Sequence, residues 1–453
     1  MKFSNAKGTR DFPPETLVKR KYILNIIESV FKKFGFMPLE TPALEQLETL
    51  TGKYGNEGDK LLFKVINSGD FAAKVDDETW KNKQSEKILR FICEKGLRYD
   101  LTVPLARFVA SNRNEIVFPF KRYQMQPVWR ADRPQRGRYR EFWQCDIDTL
   151  GTNCLMNEAE IISMAVEIFK TLNLNVTIFI NNRKILEAIA EKYQILSEFT
   201  RFTNIIDKLD KNDFESLKLD FESLGLSNQQ IEELKKILKK YTFDTNGINQ
   251  LKDIFLTNPK AIAGCNEFYE IYSYLEKSEL NEKAVMIDLS LARGLDYYTG
   301  CIFEIKSNEE TIGSIAGGGR YDNLTEVFGL KDVSGVGVSF GIDRIYDIME
   351  KLKLLNHIRT SDVKVLLCHF DKNGQIYNFQ KAAELRNNGI SAEVYPDIKK
   401  INKQFEYAEK KEIDFVIITG EEEINTGVLT LKNLKHRTQE KLSFENVIER
   451  LNF

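Results

Sequence analysis

The stretch from Phe120 to Gly151, FKRYQMQPVWRADRPQRGRYREFWQCDIDTLG, constrains the fold more than any other part of this chain. Two runs of alternating residues, Arg122 to Trp129 and Tyr139 to Gln144, flank a centre punctuated by Pro134 and Gly137. Period-two alternation around such a centre predicts two antiparallel strands joined by a loop. From Lys121 to Arg140 seven basic residues (Lys121, Arg122, Arg130, Arg133, Arg136, Arg138, Arg140) face one acid, Asp132, in a chain whose formal net charge is -2. Guanidinium forks match phosphate oxygens, and Phe142 can stack on a base, so the hairpin suits a nucleoside triphosphate. A solvated basic hairpin is the bland alternative for this stretch read alone.

The remaining segments decide between these readings. The hairpin resembles motif 2 of class II aminoacyl-tRNA synthetases, in the wording of the histidyl-tRNA synthetase family. In that family's order, Lys7-Gly8-Thr9-Arg10-Asp11-Phe12-Pro13-Pro14 stands near the N-terminus and Leu97-Arg98-Tyr99-Asp100-Leu101-Thr102-Val103-Pro104 ahead of the hairpin. Leu291-Ala292-Arg293-Gly294-Leu295-Asp296-Tyr297-Tyr298 is similar to the family's histidine signature, and Ala316-Gly317-Gly318-Gly319-Arg320-Tyr321-Asp322 to its second one. Gly335 to Arg344, GVGVSFGIDR, resembles motif 3. Before Thr102 the wording is Tyr99-Asp100-Leu101, where bacterial members usually have Pro-Glu-Gly; Arg133-Pro134-Gln135 follows the bacterial form.

At 453 residues the chain exceeds a single core and is expected to hold two or three domains. No apolar run approaches the ~20 residues that cross a bilayer, and the N-terminus has no signal-peptide core, so a cytoplasmic protein with no membrane partner is expected. Six cysteines (Cys93, Cys145, Cys154, Cys265, Cys301, Cys368) form no C-x-x-C pair and read as buried thiols. The three histidines (His357, His369, His436) lie beyond the motifs, so neither a catalytic histidine nor a metal site of the protein's own is expected.

Apolar residues from Leu17 to Phe34 recur at helical spacing up to Gly35, after two prolines that can open a helix. Phe36 to Pro42 reads as an extended segment at a sheet edge. Strands are expected over Lys60–Ile66, Lys95–Leu101 and Val285–Ile305, with a helix over Asn157–Leu172. Residues 197–283 carry helical periodicity and read as an inserted helical domain within a first domain of residues 1–355. From 361 to 453, strands and helices alternate, predicting a separate α/β domain. The expected class is therefore α+β. The resemblance makes it an antiparallel class II catalytic sheet flanked by helices, with a helical insertion and a C-terminal anticodon-binding domain.

The resemblance also implies the chemistry and its residues. Histidine would be activated with ATP, a substrate accompanied by Mg2+, and passed to histidine tRNA by a homodimer whose interface includes the Leu17–Phe34 helix and Phe36–Pro42. Arg130, Arg293 and Arg344 would be catalytic. Arg130, Asp132, Arg138, Phe142 and Arg344 would hold ATP. L-histidine would be bound by Asp100, Thr102, Arg130, Gln144, Asp148, Arg293, Tyr297, Tyr298 and Tyr321. An ammonium calls for acceptors such as Asp100, Thr102 and Gln144, and each imidazole nitrogen for its own partner, which Asp148 and Tyr298 can supply. At the hairpin tip Arg133, Gln135 and Arg136 would meet the tRNA acceptor end. The competing readings are a regulatory, non-catalytic subunit of ATP phosphoribosyltransferase and a synthetase for threonine or proline. The intact arginines and the Arg293–Tyr298 signature weigh against both.

Overall fold

The alternation around the arginine-rich centre becomes two neighbouring ten-residue strands of a large sheet. The computed structural model describes residues 3–51, 59–210, 212–277, 284–292 and 298–452. They fall into two compact units: one comprises the residues up to Asp11 with Arg20–Leu354, the other Phe12–Lys19 with the residues from Leu355 onward.

The first unit opens with a helix, Pro14–Lys33, whose later turns belong to it, and with the short strand β1 (Met37–Pro38). A small three-stranded sheet follows, made of β2 (Leu44–Gln46), β3 (Lys64–Val65) and β4 (Lys95–Leu97). The strands expected over 60–66 and 95–101 are thus shorter than their patterns, and they stand apart from the main sheet.

That sheet is built from β5 (Phe120–Trp129), β6 (Glu141–Leu150), β7 (Val176–Asn182), β8 (Lys240–Thr242), β9 (Val285–Asp288), β10 (Cys301–Ser307), β11 (Ser314–Tyr321) and β12 (Gly335–Gly341), together with β1. Its nine strands lie in the order β1-β5-β6-β12-β11-β10-β7-β9-β8. Only β1 with β5 and β7 with β9 pair in parallel. The stretch expected to be strand-forming over Val285–Ile305 holds β9 and most of β10. Residues 197–277 are mostly helical, as their periodicity predicts, yet Lys240–Thr242 forms the sheet's outer strand against β9. Three residues are too few to show a period, so the strand was illegible in the sequence.

The two faces of the sheet differ sharply. On one, Phe340 lies with its ring 5.8 Å from Phe31 of the first helix and 6.0 Å from Phe169 of the helix Met156–Thr171. On the other, cross-strand register sets polar residues and glycines in rows. Arg122 faces Asp148, which faces Gly337 and then Gly319; Gln124 faces Asp146, which faces Ser339 and then Gly317. Because side chains two residues apart share a face, Gln144, Asp146 and Asp148 project together.

The second unit has its own five-stranded sheet, made of β13 (Val365–His369), β14 (Ala392–Val394), β15 (Phe415–Thr419), β16 (Val428–Asn433) and β17 (Thr438–Ser443), in the order β14-β13-β15-β16-β17. Helices Lys372–Asn387, Ile401–Lys410 and Phe444–Asn452 supply the helical part of the alternation expected from 361 to 453. A helix Glu421–Thr426 and strand β17 were not foreseen. Five cysteines are buried as expected, but Cys154 is exposed.

Candidate active site

Arg130 follows β5 directly, and its backbone N–H donates to the Arg140 carbonyl at 2.9 Å, closing the base of the hairpin loop. Its guanidinium lies between two aromatic rings, 4.3 Å from the Tyr99 centroid and 5.1 Å from that of Phe142, and its Nε donates to the Tyr99 carbonyl at 3.1 Å. Packing against two rings fixes a planar cation that retains further N–H donors. At the loop tip Gln135 and Arg138 exchange backbone hydrogen bonds around Gly137, whose φ of 71° suits glycine. Arg133, Gln135 and Arg136 are exposed there, whereas Arg138 pairs with Asp132 at 3.2 Å.

Arg344 stands in the first turn of the helix Ile342–Lys351, where the helix dipole disfavours a cation. Its Nε donates to the Gly137 carbonyl at 2.8 Å and its Nη1 to the Ser314 carbonyl, so it ties the hairpin turn to the start of β11. The neighbouring Asp343 is buried and gathers donors from three directions: Arg20 at 2.7 Å, the Trp143 N–H at 2.9 Å, and Arg10. Arg10 also lies 3.4 Å above the Tyr139 ring. The Tyr139 hydroxyl donates to Asp347 at 2.7 Å, and burial, then that carboxylate, pushes the phenol up to about 12.

Along β6 from the hairpin, Phe142, Gln144, Asp146 and Asp148 project from one face over about 20 Å, at roughly 3.4 Å per residue. Gln144 donates to Ser339 at 2.6 Å. Asp148 pairs with Arg122 at 2.5 Å and accepts from the Tyr321 hydroxyl. Burial raises the Asp148 carboxyl to about 6 against the pull of Arg122 and Tyr321. Asp146 reaches about 7, again through burial first, with Asp148 adding to the rise and Arg122 opposing it. Asp100 is buried before the helix Thr102–Ser111 and accepts the Val103 N–H at 3.1 Å. Glycine is required beneath these groups. A Cβ at Gly337 would lie 2.0 Å from Asp148 Oδ1, and one at Gly319 would lie 2.7 Å from the Tyr298 ring.

These side chains enclose a cavity of about 550 Å3. Among the residues picked from sequence, Asp100, Thr102, Arg130, Asp132, Arg138, Phe142, Gln144, Asp148, Tyr298, Tyr321 and Arg344 all line it. Arg133, Gln135 and Arg136 do not. Arg293 and Tyr297 lie outside the described residues. Sequence reading missed Tyr99, Asp146, Ser339, Asp343 and Tyr139 in the lining, and Arg122 behind it. The alternation of β5 and β6 carried a signal for Arg122 and Asp146, since both share the period-two face of residues already chosen.

Residues 77–345 match the family model for histidyl-tRNA synthetase, and residues 364–452 that for an anticodon binding domain. A histidine–tRNA ligase from Cytophaga hutchinsonii is 46% identical over 451 residues, covering 98% of either chain. One from Azobacteroides pseudotrichonymphae is 47% identical over 447 residues, 99% of this chain and 97% of the relative. Among solved structures, histidyl-tRNA synthetase from Nostoc sp. PCC 7120 superposes with a TM-score of 0.83 at 28% identity, covering 100% of this chain and 99% of that one. A Bacillus halodurans protein described as an ATP phosphoribosyltransferase regulatory subunit/histidyl-tRNA synthetase shares the fold, with a TM-score of 0.70 at 22% identity, covering 92% of this chain and 98% of that one. The sandwiched arginine, the acid-lined sheet face and these full-length matches agree: the chain belongs to the histidyl-tRNA synthetase family of class II aminoacyl-tRNA synthetases.

Proposed function

We propose that the cavity joins L-histidine to AMP and then to histidine tRNA. A histidine carboxylate oxygen attacks the α-phosphorus of ATP, the bond to pyrophosphate breaks, and histidyl-adenylate remains. A ribose hydroxyl at the tRNA 3′ end then attacks the carbonyl carbon, loses its proton and releases AMP. The first nucleophile is already ionised, so the protein's task is to align reactants and neutralise charge growing on phosphate oxygens.

The observation that carries this reading is the ordering of the cavity along β6. Arg130, clamped between Tyr99 and Phe142, stands at the hairpin end with Arg138 and Arg344, which suits the phosphates. Acceptors lie further along the strand. Asp100, Thr102 and Gln144 suit the ammonium group; Asp148, backed by Tyr321, suits a ring N–H, with Tyr298 for the other nitrogen. Arg293 and Tyr297 complete the set by their motif alone.

Mg2+ fits this site as a companion of the triphosphate, since that ion is held by one or two carboxylates together with phosphates and water. Asp132 in the lining offers such a carboxylate, and the ion would neutralise phosphate charge.

Arg133, Gln135 and Arg136, exposed at the hairpin tip, are proposed to meet the tRNA acceptor end, and the second unit to read the anticodon. A homodimer is proposed through the sheet edge, where β1 is the outermost strand and Met37 is 66% exposed. The protein is proposed to act in the cytoplasm; no described helix is long and apolar enough to cross a membrane.

The deciding experiment is ATP–pyrophosphate exchange with each amino acid in turn. Histidine alone should drive it. Exchange driven equally by threonine or proline would assign another synthetase, and no exchange with any amino acid would favour a regulatory subunit.

A further inference from the structure

We propose that Arg122, which does not line the cavity, is a positioning residue that fixes the Asp148 carboxylate as the acceptor selecting histidine. The inference rests on the reading that Asp148 meets a ring N–H of the substrate. Arg122 is completely buried and directly opposite Asp148 in the strand register. Its Nη2 holds Asp148 Oδ2 at 2.5 Å. Its other contacts are long, to Gln124 Oε1 at 3.3 Å and to the Leu101 carbonyl at 3.5 Å. Asp148 Oδ1 takes the Tyr321 hydroxyl and lies over Gly337, where no side chain fits. With a donor already on each oxygen, the carboxylate cannot rotate without breaking one bond, and its remaining lone pairs can only accept.

The charges around it make the arginine necessary. Asp148 faces Arg122 from β5, Asp146 from its own strand, Asp100 from before the Thr102–Ser111 helix, and Tyr321 from β11. Tyr298 joins this group beside Tyr321. Among the described residues, Arg122 is the cation that acts on Asp148, beside two further acids and two phenols. Remove it, and burial with acidic neighbours favours the protonated carboxyl, which offers a hydroxyl donor where a ring N–H needs an acceptor. Sequence reading passed over Arg122 because one arginine in a basic run looks like any other.

The test measures pyrophosphate exchange for wild type, Arg122→Met, Arg122→Lys and Asp148→Asn between pH 6.5 and 8.5, after thermal melts establish folding. Arg122→Met should raise KM for histidine about tenfold or more at pH 7, with the ratio to wild type shrinking as pH rises. KM for ATP and kcat at saturating histidine should stay within about threefold of wild type. Arg122→Lys, which keeps the charge without the fork, should recover most of the histidine KM; if the methionine variant does not fold, this variant decides. A lysine variant with a histidine KM raised about threefold and an unchanged ATP KM supports the inference; one identical to wild type overturns it. Parallel, pH-independent losses for both substrates in Arg122→Met would reduce Arg122 to a structural residue. If Asp148→Asn raises the histidine KM but Arg122→Met does not, the inference falls and the reading of Asp148 stands. An unchanged histidine KM in Asp148→Asn would sink that reading itself.

Discussion

The two sheets of this chain bury different things. The catalytic sheet encloses ions: Arg122, Asp146, Asp148 and Asp343 around the cavity, and the Arg320–Glu158 pair between β11 and the helix Met156–Thr171. In the sheet of the second unit the buried polar side chains are neutral. Asn378 bonds Thr419 and the Cys368 carbonyl, and Gln404 bonds the backbone of His369. Burial there holds the His369 imidazole below its ordinary range. Charged pairs of that unit, such as Lys441–Glu422 and Lys403–Glu406, lie at the surface. Buried charge costs desolvation, so it persists where geometry compensates it or chemistry needs it. The contrast marks the first sheet as the one that performs the reaction.

Four measurements test this contrast. The largest effect is expected at the Arg320–Glu158 pair, held by bonds of 2.5 and 2.7 Å in the core. Arg320→Met leaves Glu158 buried alone and should cost about 3–5 kcal/mol in denaturant unfolding. A loss below about 1 kcal/mol would show that buried ions in this unit are cheap to disturb.

Next, Arg130→Ala should lower single-turnover adenylate formation by about 100- to 1000-fold, while ATP affinity changes far less. Near-normal formation would remove Arg130 from the chemistry despite its aromatic clamp.

Asp146→Asn should stabilise the enzyme without ligands. Its folded carboxyl titrates at about 7, above the ordinary carboxylate value, so ionisation opposes folding as pH rises from about 4 to 7. The gain should be on the order of 2–4 kcal/mol at pH 8 and should vanish towards pH 4. A gain that ignores pH would mean packing, not charge, is at stake.

The smallest effect belongs to the second unit. Lys441→Ala removes an exposed ion pair, and calorimetry should find its melting transition unmoved. A clear downward shift would erase the distinction between the sheets.

How much of this was legible depends on the range of each signal. The hairpin was readable because ten-residue strands show their period and Pro134 and Gly137 mark the break. Most cavity residues were legible as motif positions. β8 was not, because three residues carry no period, and β3 proved shorter than the run that announced it. Thr438–Ser443 was hidden for another reason: its exposed polar residues read as loop. Asp343, Arg10 and Arg20 form a cluster through the fold alone, and each by itself reads as an ordinary surface charge. Arg293 and Tyr297 remain readings of motif, outside the described residues.

The pair joining Arg10 to Asp343 spans 333 residues. A ribosome delivers Arg10 early and Asp343 only after nearly the whole first unit has emerged, and a contact so distant in sequence waits on closure of that loop. Until then the helix bearing Arg344 is not anchored to the hairpin turn, whereas Arg10 can already rest on the Tyr139 ring. The nascent chain therefore carries Arg130 and Arg138 long before Arg344 joins them at the cavity, and the first turn of the helix Ile342–Lys351 is the piece that brings it there.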